Sequence, residues 1–186
     1  NESAPVVRYD VPASDKMRLS LIRYPPLAVS ADGSTLVFIA NSEGITRLFL
    51  RRRDDTEIRV IPDTEGALDA AFSADGQWIA FMSSDFNLKK VPLNGPVVSL
   101  TKVGDPRGLC WLGNETIVFT PQSTGGVFQI PASGGTPSPI TTVVEKDKER
   151  THRWPQVLPG GKAVIFTVGT VDKPDDYDGA NIEAVI

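Results

Sequence analysis

Short apolar runs alternate with tight polar turns along most of this chain, and one arrangement of them recurs. An apolar run, a turn and a second apolar run that closes on phenylalanine occupy residues 27–38, 69–81, 108–119 and 155–166. The closing residues, Phe38, Phe81, Phe119 and Phe166, are 43, 38 and 47 residues apart. These distances bracket the roughly 40–45 residues of a repeat built from four strands.

Two further strand-like runs follow the closing phenylalanine in each of the first three repeats. They lie at 46–50 and 57–61, at 86–91 and 96–101, and at 126–130 and 137–142. A four-stranded sheet of mixed composition cannot bury both faces alone, so neighbouring repeats must stack. Radial stacking predicts an all-β fold, a β-propeller of about four antiparallel blades.

The repeats divide the chain into blades at 24–66, 67–106, 107–151 and 152–186, of which the last is incomplete. A blade that lacks a strand exposes unpaired backbone groups along its edge. The strand-like run 6–11, within the N-terminal segment 1–23, is the natural candidate to close it. Closure within one chain predicts a small four-bladed ring, whereas exchange between chains predicts a homodimer with about eight blades.

The turn of the first two repeats reads Ser-Ala-Asp-Gly, ending at Asp32-Gly33 and Asp75-Gly76. Asp-Gly supplies a positive φ at low steric cost, and the Asp side chain accepts backbone N–H groups. We therefore interpret both aspartates as structural, in preference to a catalytic or calcium-binding role.

Composition narrows the class of partner. The chain has 186 residues, 40% of them hydrophobic and 23% charged, with a net charge of −4, and a mean hydropathy of −0.10. Its one basic cluster, 51–53, is followed at once by Asp54 and Asp55. Nucleic acid is therefore disfavoured as a partner, because such binding depends on clustered Lys and Arg. No apolar run reaches the roughly 18 residues of a membrane span.

The Ser-Ala-Asp-Gly turn followed by 78–81, Trp-Ile-Ala-Phe, resembles the TolB-type propeller repeat, with Ala31 and Ala74 where that repeat has proline. The stretches 64–66, 88–92 and 152–161 resemble the propeller region C-terminal to many bacterial serine/threonine protein kinases. The resemblance covers about 24–168. It implies a non-catalytic, usually periplasmic or extracytoplasmic module that senses ligands or binds proteins in signalling. The motifs of a kinase catalytic domain do not occur in the sequence.

Polar residues stand at the start of the first strand of each blade, where propellers line the mouth of the central channel. They are Tyr24, Asp69, Arg107 and His152, the last followed by Arg153 and Trp154. These six residues are the candidate ligand-binding residues. The alternative is that they bond adjacent blades to one another, with Trp154 filling space between sheets.

No catalytic residue, cofactor or metal site is predicted. The single histidine has no nucleophile elbow to serve, and Cys110, the only cysteine, lies in an apolar strand. Acidic residues crowd one loop at Asp172, Asp175, Asp176 and Asp178. Their spacing lacks the terminal bidentate Glu of an EF-hand, so we interpret the loop as solvated.

Three functions remain open from the sequence. The first is a non-enzymatic propeller that binds a protein or small ligand at the channel mouth. The second is a glycosidase-like or lyase-like propeller enzyme, which predicts paired carboxylates, Asp69 among them, with perturbed pKa values in one cavity. The third is a self-assembling fragment, which predicts a dimer and no deep polar pocket.

Overall fold

The computed structural model describes residues 17–20, 26–173 and 181–185, together with Val6, Arg8, Tyr9 and Val11. The regular structure in these residues is β-strand apart from a 3-10 turn at Glu145–Asp147, and the strands form four antiparallel sheets in chain order. This confirms the predicted all-β architecture of successive antiparallel blades. No described helix has the length and apolar character of a membrane span.

The first sheet has five strands: β1 Met17–Leu19, β2 Leu27–Val29, β3 Thr35–Ser42, β4 Ile45–Arg52 and β5 Ile58–Val60. Both β1 and β2 pair with β3, because Leu27 lies opposite Phe38 while Met17 lies opposite Ser42. The innermost position of this blade is thus shared by two chain segments. One of them comes from the segment 1–23, which was expected to serve blade closure.

The second and third sheets are four-stranded meanders in which each strand pairs with the next. Their strands are β6 Ala67–Phe72, β7 Trp78–Ser83, β8 Asn87–Pro92 and β9 Val98–Lys102, then β10 Leu109–Leu112, β11 Thr116–Phe119, β12 Phe128–Pro131 and β13 Ser138–Pro139. The fourth sheet comprises β14 Glu149–Val157, β15 Val164–Thr170 and β16 Asn181–Val185. Strand β14 begins three residues before the blade boundary expected at 152.

The two Ser-Ala-Asp-Gly turns adopt one hydrogen-bond pattern. The Ser30 hydroxyl donates to Asp32 Oδ1 at 2.6 Å and accepts the Thr35 N–H at 3.0 Å. Ser73 does the same with Asp75 at 2.6 Å and with the Trp78 N–H at 3.0 Å. Hydrogen bonds from Ser30 and Ser34 lower the pKa of Asp32 to about 2. Both carboxylates are engaged in fixing their turns, in agreement with a structural role.

The second and third sheets each bury both faces, because their strands alternate side chains between two neighbouring sheets. In β7, Ile79 and Phe81 face the seam with the first sheet, whereas Ala80 and Met82 face the seam with the third. A third cluster that includes Val118 and Phe166 joins the third sheet to the fourth. Side-by-side stacking of this kind places the first strand of every blade on one inner surface.

The N-terminal segment contacts the first blade. Tyr9 and Val11 pack against the outer face of that sheet beside Phe38 and Phe49, and the Tyr9 hydroxyl donates to the Gly33 carbonyl oxygen at 2.7 Å. Tyr9 and Val11 therefore cover a face of the first blade on which none of the other described sheets packs. Closure of the last blade by this run, and dimerisation through it, stay predictions.

Candidate functional site: the central cleft

The inner strands of the four blades converge on a cleft of about 870 Å³. Within the described sheets, β6, β10 and β14 each pair along one edge only, so the other backbone edge faces this space. Its described lining is mostly apolar: Leu27, Ala28, Val29, Ala31, Asp69, Ala70, Ala71, Phe72, Ser73, Ala74, Gly108, Leu109, Cys110, Trp111, Trp154 and Gln156. Its volume is in the range of ligand-binding pockets.

Small residues on the inner strands keep the cleft open, and larger apolar groups edge it. Leu27 and Val29 on β2 are 48% and 52% exposed, which is unusual for aliphatic residues in a central position. Trp111 also borders the cleft but is buried, and its indole N–H donates to the Ala71 carbonyl oxygen at 3.0 Å. This bond ties the second blade to the third beside the cleft, while the ring packs in the apolar cluster between these blades.

Asp69 supplies the one charged group among the described lining residues. It is 7% exposed, and its Oδ1 accepts the Ala70 N–H at 2.9 Å. Burial raises the pKa of Asp69 to about 7, although hydrogen bonds from the backbone of Ala70 and Leu109 act in the opposite direction. No described cation forms a salt bridge with this carboxylate. Asp69 is therefore a buried carboxyl group, close to half-ionised at neutral pH, on the wall of an apolar cleft.

The neighbouring thiol is not activated. Burial raises the pKa of Cys110 to about 12, and the charge of Asp69 acts in the same direction. Because the thiolate is the reactive form of cysteine, this group is unsuited to nucleophilic catalysis at neutral pH. We therefore interpret Cys110 as an apolar residue that lines the cleft next to Asp69.

The fourth blade reaches the cleft through a close backbone approach. The Trp154 N–H donates to the Arg107 carbonyl oxygen at 2.8 Å, and β14 is irregular between Arg153 and Gln156. Gly108 has a φ of +103°, and a Cβ atom on it would lie 2.8 Å from the Trp154 Cα. The absence of a side chain at Gly108 thus allows Trp154 and Gln156 to line the cleft.

The two candidate arginines are directed elsewhere. Arg107 donates from Nη2 to Asp105 Oδ2 at 2.6 Å and from Nη1 to the Pro106 carbonyl oxygen at 2.8 Å. Arg153 donates to the Ser123 carbonyl oxygen at 2.9 Å. Both side chains are buried. They hold loops between blades and do not line the cleft as the structure describes it.

His152 lies in the seam between the third and fourth blades. Its Nδ1 is 2.7 Å from Thr141 Oγ1 and its Nε2 is 3.1 Å from Glu149 Oε2. The ring packs on Phe166, with centroids 4.6 Å apart, and the residue is 2% exposed. A fully enclosed Thr-His-Glu network of this kind cannot reach a ligand in the cleft. The alternative interpretation, bonding between blades, describes the geometry of His152.

Of the six residues expected to form a polar rim, the structure brings Asp69 and Trp154 to the cleft. It places His152 and Arg153 in contacts with the third blade and Arg107 in contacts within the loop before β10. Tyr24 lies outside the described residues. So do Asp175, Asp176 and Asp178 of the acidic loop, while Asp172 accepts a 2.7 Å bond from Lys148. The described residues contain no group of three or more potential metal ligands. Trp111 and Gln156 were missed, although their places on inner strands were a usable signal.

Replacing His152 with Ala should lower the free energy of unfolding by about 3 kcal/mol. The change removes a buried ring and leaves the Thr141 hydroxyl and the Glu149 carboxylate without their shared partner. Urea denaturation at pH 7.5 would measure the loss. Thr142→Ala, at the exposed neighbour of Thr141, is the matched control and should change stability little. A loss below about 0.5 kcal/mol for His152→Ala would show that the network does not hold the seam.

Comparison with known proteins supports the fold. No family model matches the chain. A curated WD repeat-containing protein 55 homolog from Dictyostelium discoideum is 29% identical over 96 residues, which is 50% of this chain and 24% of that protein. The solved structure of a TolB protein described as putative, from Agrobacterium tumefaciens, superposes with a TM-score of 0.68 at 18% identity, covering 87% of this chain and 64% of that one.

Two other solved structures that resemble the chain belong to proteins of different kinds. A nidogen–laminin complex matches with a TM-score of 0.62 at 12% identity, covering 84% of this chain and 62% of that one. An oligogalacturonate lyase in complex with manganese matches with a TM-score of 0.61 at 15% identity, covering 80% and 47%. At these identities the likeness establishes the fold alone. The chain has a β-propeller fold and spans less than two thirds of each of these proteins.

Proposed function

We propose that this chain is a non-enzymatic binding module whose central cleft takes up a segment of a protein partner. The observation that carries the proposal is the cleft itself, an apolar space of about 870 Å³ bounded by the inner strands of four blades. The chain is similar to a TolB protein and to a WD repeat-containing protein, and this similarity fits a protein-interaction role.

The chemistry of the cleft suits an extended peptide. The inner-strand N–H and C=O groups that are not already bonded within or between blades are open to a bound chain, while exposed Leu27 and Val29 offer apolar contact. Recognition of this type combines main-chain hydrogen bonds with pockets for side chains. A sensory role, in which this chain is an extracytoplasmic module that relays occupancy of the cleft to an attached kinase, is one form of this function and rests on the motif resemblance.

An enzymatic function is the second candidate, because Asp69 has a strongly raised pKa and an oligogalacturonate lyase shares the fold. Glycoside hydrolysis requires two carboxyl groups flanking the scissile bond. The described lining of the cleft contains one, Asp69, and the nearby Cys110 thiol has a pKa of about 12. The described residues therefore favour binding over catalysis.

A peptide-selection experiment tests the proposal. Random twelve-residue peptides displayed on phage are selected against the immobilised chain, and the enriched sequences are synthesised and titrated calorimetrically. Val29→Trp narrows the cleft and should weaken peptide binding at least tenfold. Val98→Trp is the matched control, because Val98 is also an exposed strand valine but lies on the outer strand β9. Its affinity should stay within about twofold of wild type.

Two results would overturn this function. Peptides that fail to bind in solution would show that the cleft does not take up chain segments. Equal affinities for wild type and Val29→Trp would place peptide binding elsewhere on the molecule. Both variants must first show a wild-type circular dichroism spectrum and unfolding midpoint, so that lost binding reports the cleft.

A further inference from the structure

We propose that the cleft is specific for a basic side chain, Lys or Arg, carried on an apolar stretch of the partner protein, with Asp69 as its counter-ion. The proposal deepens the proposed function and rests on it. It starts from an imbalance in the site, where Asp69 is buried, at 7% exposure, in largely apolar surroundings but lies on a cavity wall.

The hydrogen-bonding capacity of Asp69 is only partly used. An ionised carboxylate offers about four lone-pair sites. The backbone N–H groups of Ala70 and Leu109 are the donors to it within the described structure. A buried carboxylate without a cationic partner is costly, whereas the same group beside a guanidinium or ammonium is stabilised. A cationic side chain of the partner would thus supply the positive charge that the described part of the site lacks beside Asp69.

None of the described charged or titratable groups around Asp69 acts as its counter-ion. On β10, the Cys110 thiol has a pKa of about 12 and stays neutral. Just before that strand, the Arg107 guanidinium pairs with Asp105. From β14 the cleft receives Trp154 and Gln156, and from β2 it receives aliphatic groups, none of which titrates. The described elements packed around Asp69 therefore present no competing cation to the cleft.

The remaining walls fit the same ligand. Trp154, which is only partly buried, lines the cleft with Asp69, and an indole face attracts Lys and Arg. Leu27 and Val29 can contact apolar residues on either side of the basic one. An acidic or neutral peptide would bury polar groups against Asp69 without pairing its charge, so specificity for a basic residue follows from both attraction and exclusion.

Binding of a cation must be linked to proton release. In the free protein the pKa of Asp69 is about 7, and a neighbouring positive charge favours the ionised form. Below pH 7 the carboxyl group has to lose its proton when the ligand binds, so affinity should fall about tenfold per pH unit. Above pH 7 affinity should level off. About one proton is released per ligand at pH 6 and about half at pH 7.

The peptide selection described above provides the test, with three additions. Enriched peptides should contain Lys or Arg flanked by apolar residues. Replacing that residue with norleucine, which keeps the stem and removes the charge, should lower affinity at least tenfold. Asp69→Asn in the protein should do the same and abolish the pH dependence. Titration at pH 6 in buffers of different ionisation enthalpy measures the released protons.

The outcomes separate this inference from the function on which it rests. Peptides that bind, respond to Val29→Trp, but lack a basic residue or tolerate Asp69→Asn would overturn charge recognition and leave the binding function standing. Peptides unaffected by Val29→Trp would overturn both. Basic peptides whose binding is lost in Asp69→Asn and in Val29→Trp, but retained in Val98→Trp, support both.

Discussion

Gly108→Ala is expected to destabilise the chain by about 4 kcal/mol. Gly108 has a φ of +103°, a conformation that costs an alanine about 1–3 kcal/mol. Its new Cβ would also lie 2.8 Å from the Trp154 Cα and 3.2 Å from the Pro155 Cδ. Because a backbone atom and a proline ring cannot rotate away, β14 would have to move from β10. Chemical denaturation measured by far-ultraviolet circular dichroism would give the loss.

Gly113→Ala separates the two causes. Gly113 also has a positive φ, +64°, but no atom lies within 4 Å of the position that a Cβ would take. Gly113→Ala should therefore lower the free energy of unfolding by about 1 kcal/mol, which is the cost of the backbone conformation without a clash. Similar losses for both variants would mean that the approach of the fourth blade is not tight at Gly108. A quenched or shifted tryptophan emission in Gly108→Ala, but not in Gly113→Ala, that disappears when Trp154 is replaced with Phe would locate the damage at the cleft.

The blade repeat could be predicted from sequence because it rests on local chemistry. The Ser-Ala-Asp-Gly turns and the apolar run after each fix a hairpin through interactions only a few residues apart, and both copies adopt the same bonds. The closing phenylalanines Phe38, Phe81 and Phe119 are fully buried, as a repeated core position requires. Strand number and order follow from these local signals.

The site was predicted less well, because each side chain's direction depends on neighbours distant in sequence. The repeat gives Arg107 and Asp69 comparable places at the start of an inner strand, but Arg107 precedes β10 whereas Asp69 lies within β6. Arg107 turns to the adjacent Asp105, whereas Asp69 turns to the backbone of the next blade. His152 meets Thr141 and Glu149 only because a 3-10 turn folds the charged loop back before β14. No repeat pattern encodes these choices.

Asp69→Asn is expected to stabilise the protein at pH 8 by up to about 4 kcal/mol. The pKa of this carboxyl rises from its ordinary 3.8 to about 7 because folding buries it. Between these values the folded state holds a proton that the unfolded state has lost, so the free energy of unfolding falls as pH rises from 4 to 7 and is level above. Asparagine keeps the shape and the acceptor for the Ala70 N–H and removes the titration.

The difference between the two proteins isolates this group from all other titrations. Urea denaturation at pH 4.5, 6, 7 and 8 should show that the free energy of unfolding of Asp69→Asn, relative to that of wild type, increases up to about pH 7. Asp75→Asn is the control of opposite sign: hydrogen bonds from Ser73 and Gln77 lower the pKa of Asp75, so its carboxylate stabilises the fold above pH 4. That variant should be the less stable one at neutral pH, and the deficit should shrink in acid. A pH-independent difference for Asp69→Asn would mean that water reaches the carboxylate freely, and the case for a counter-ion in the cleft would fall with it.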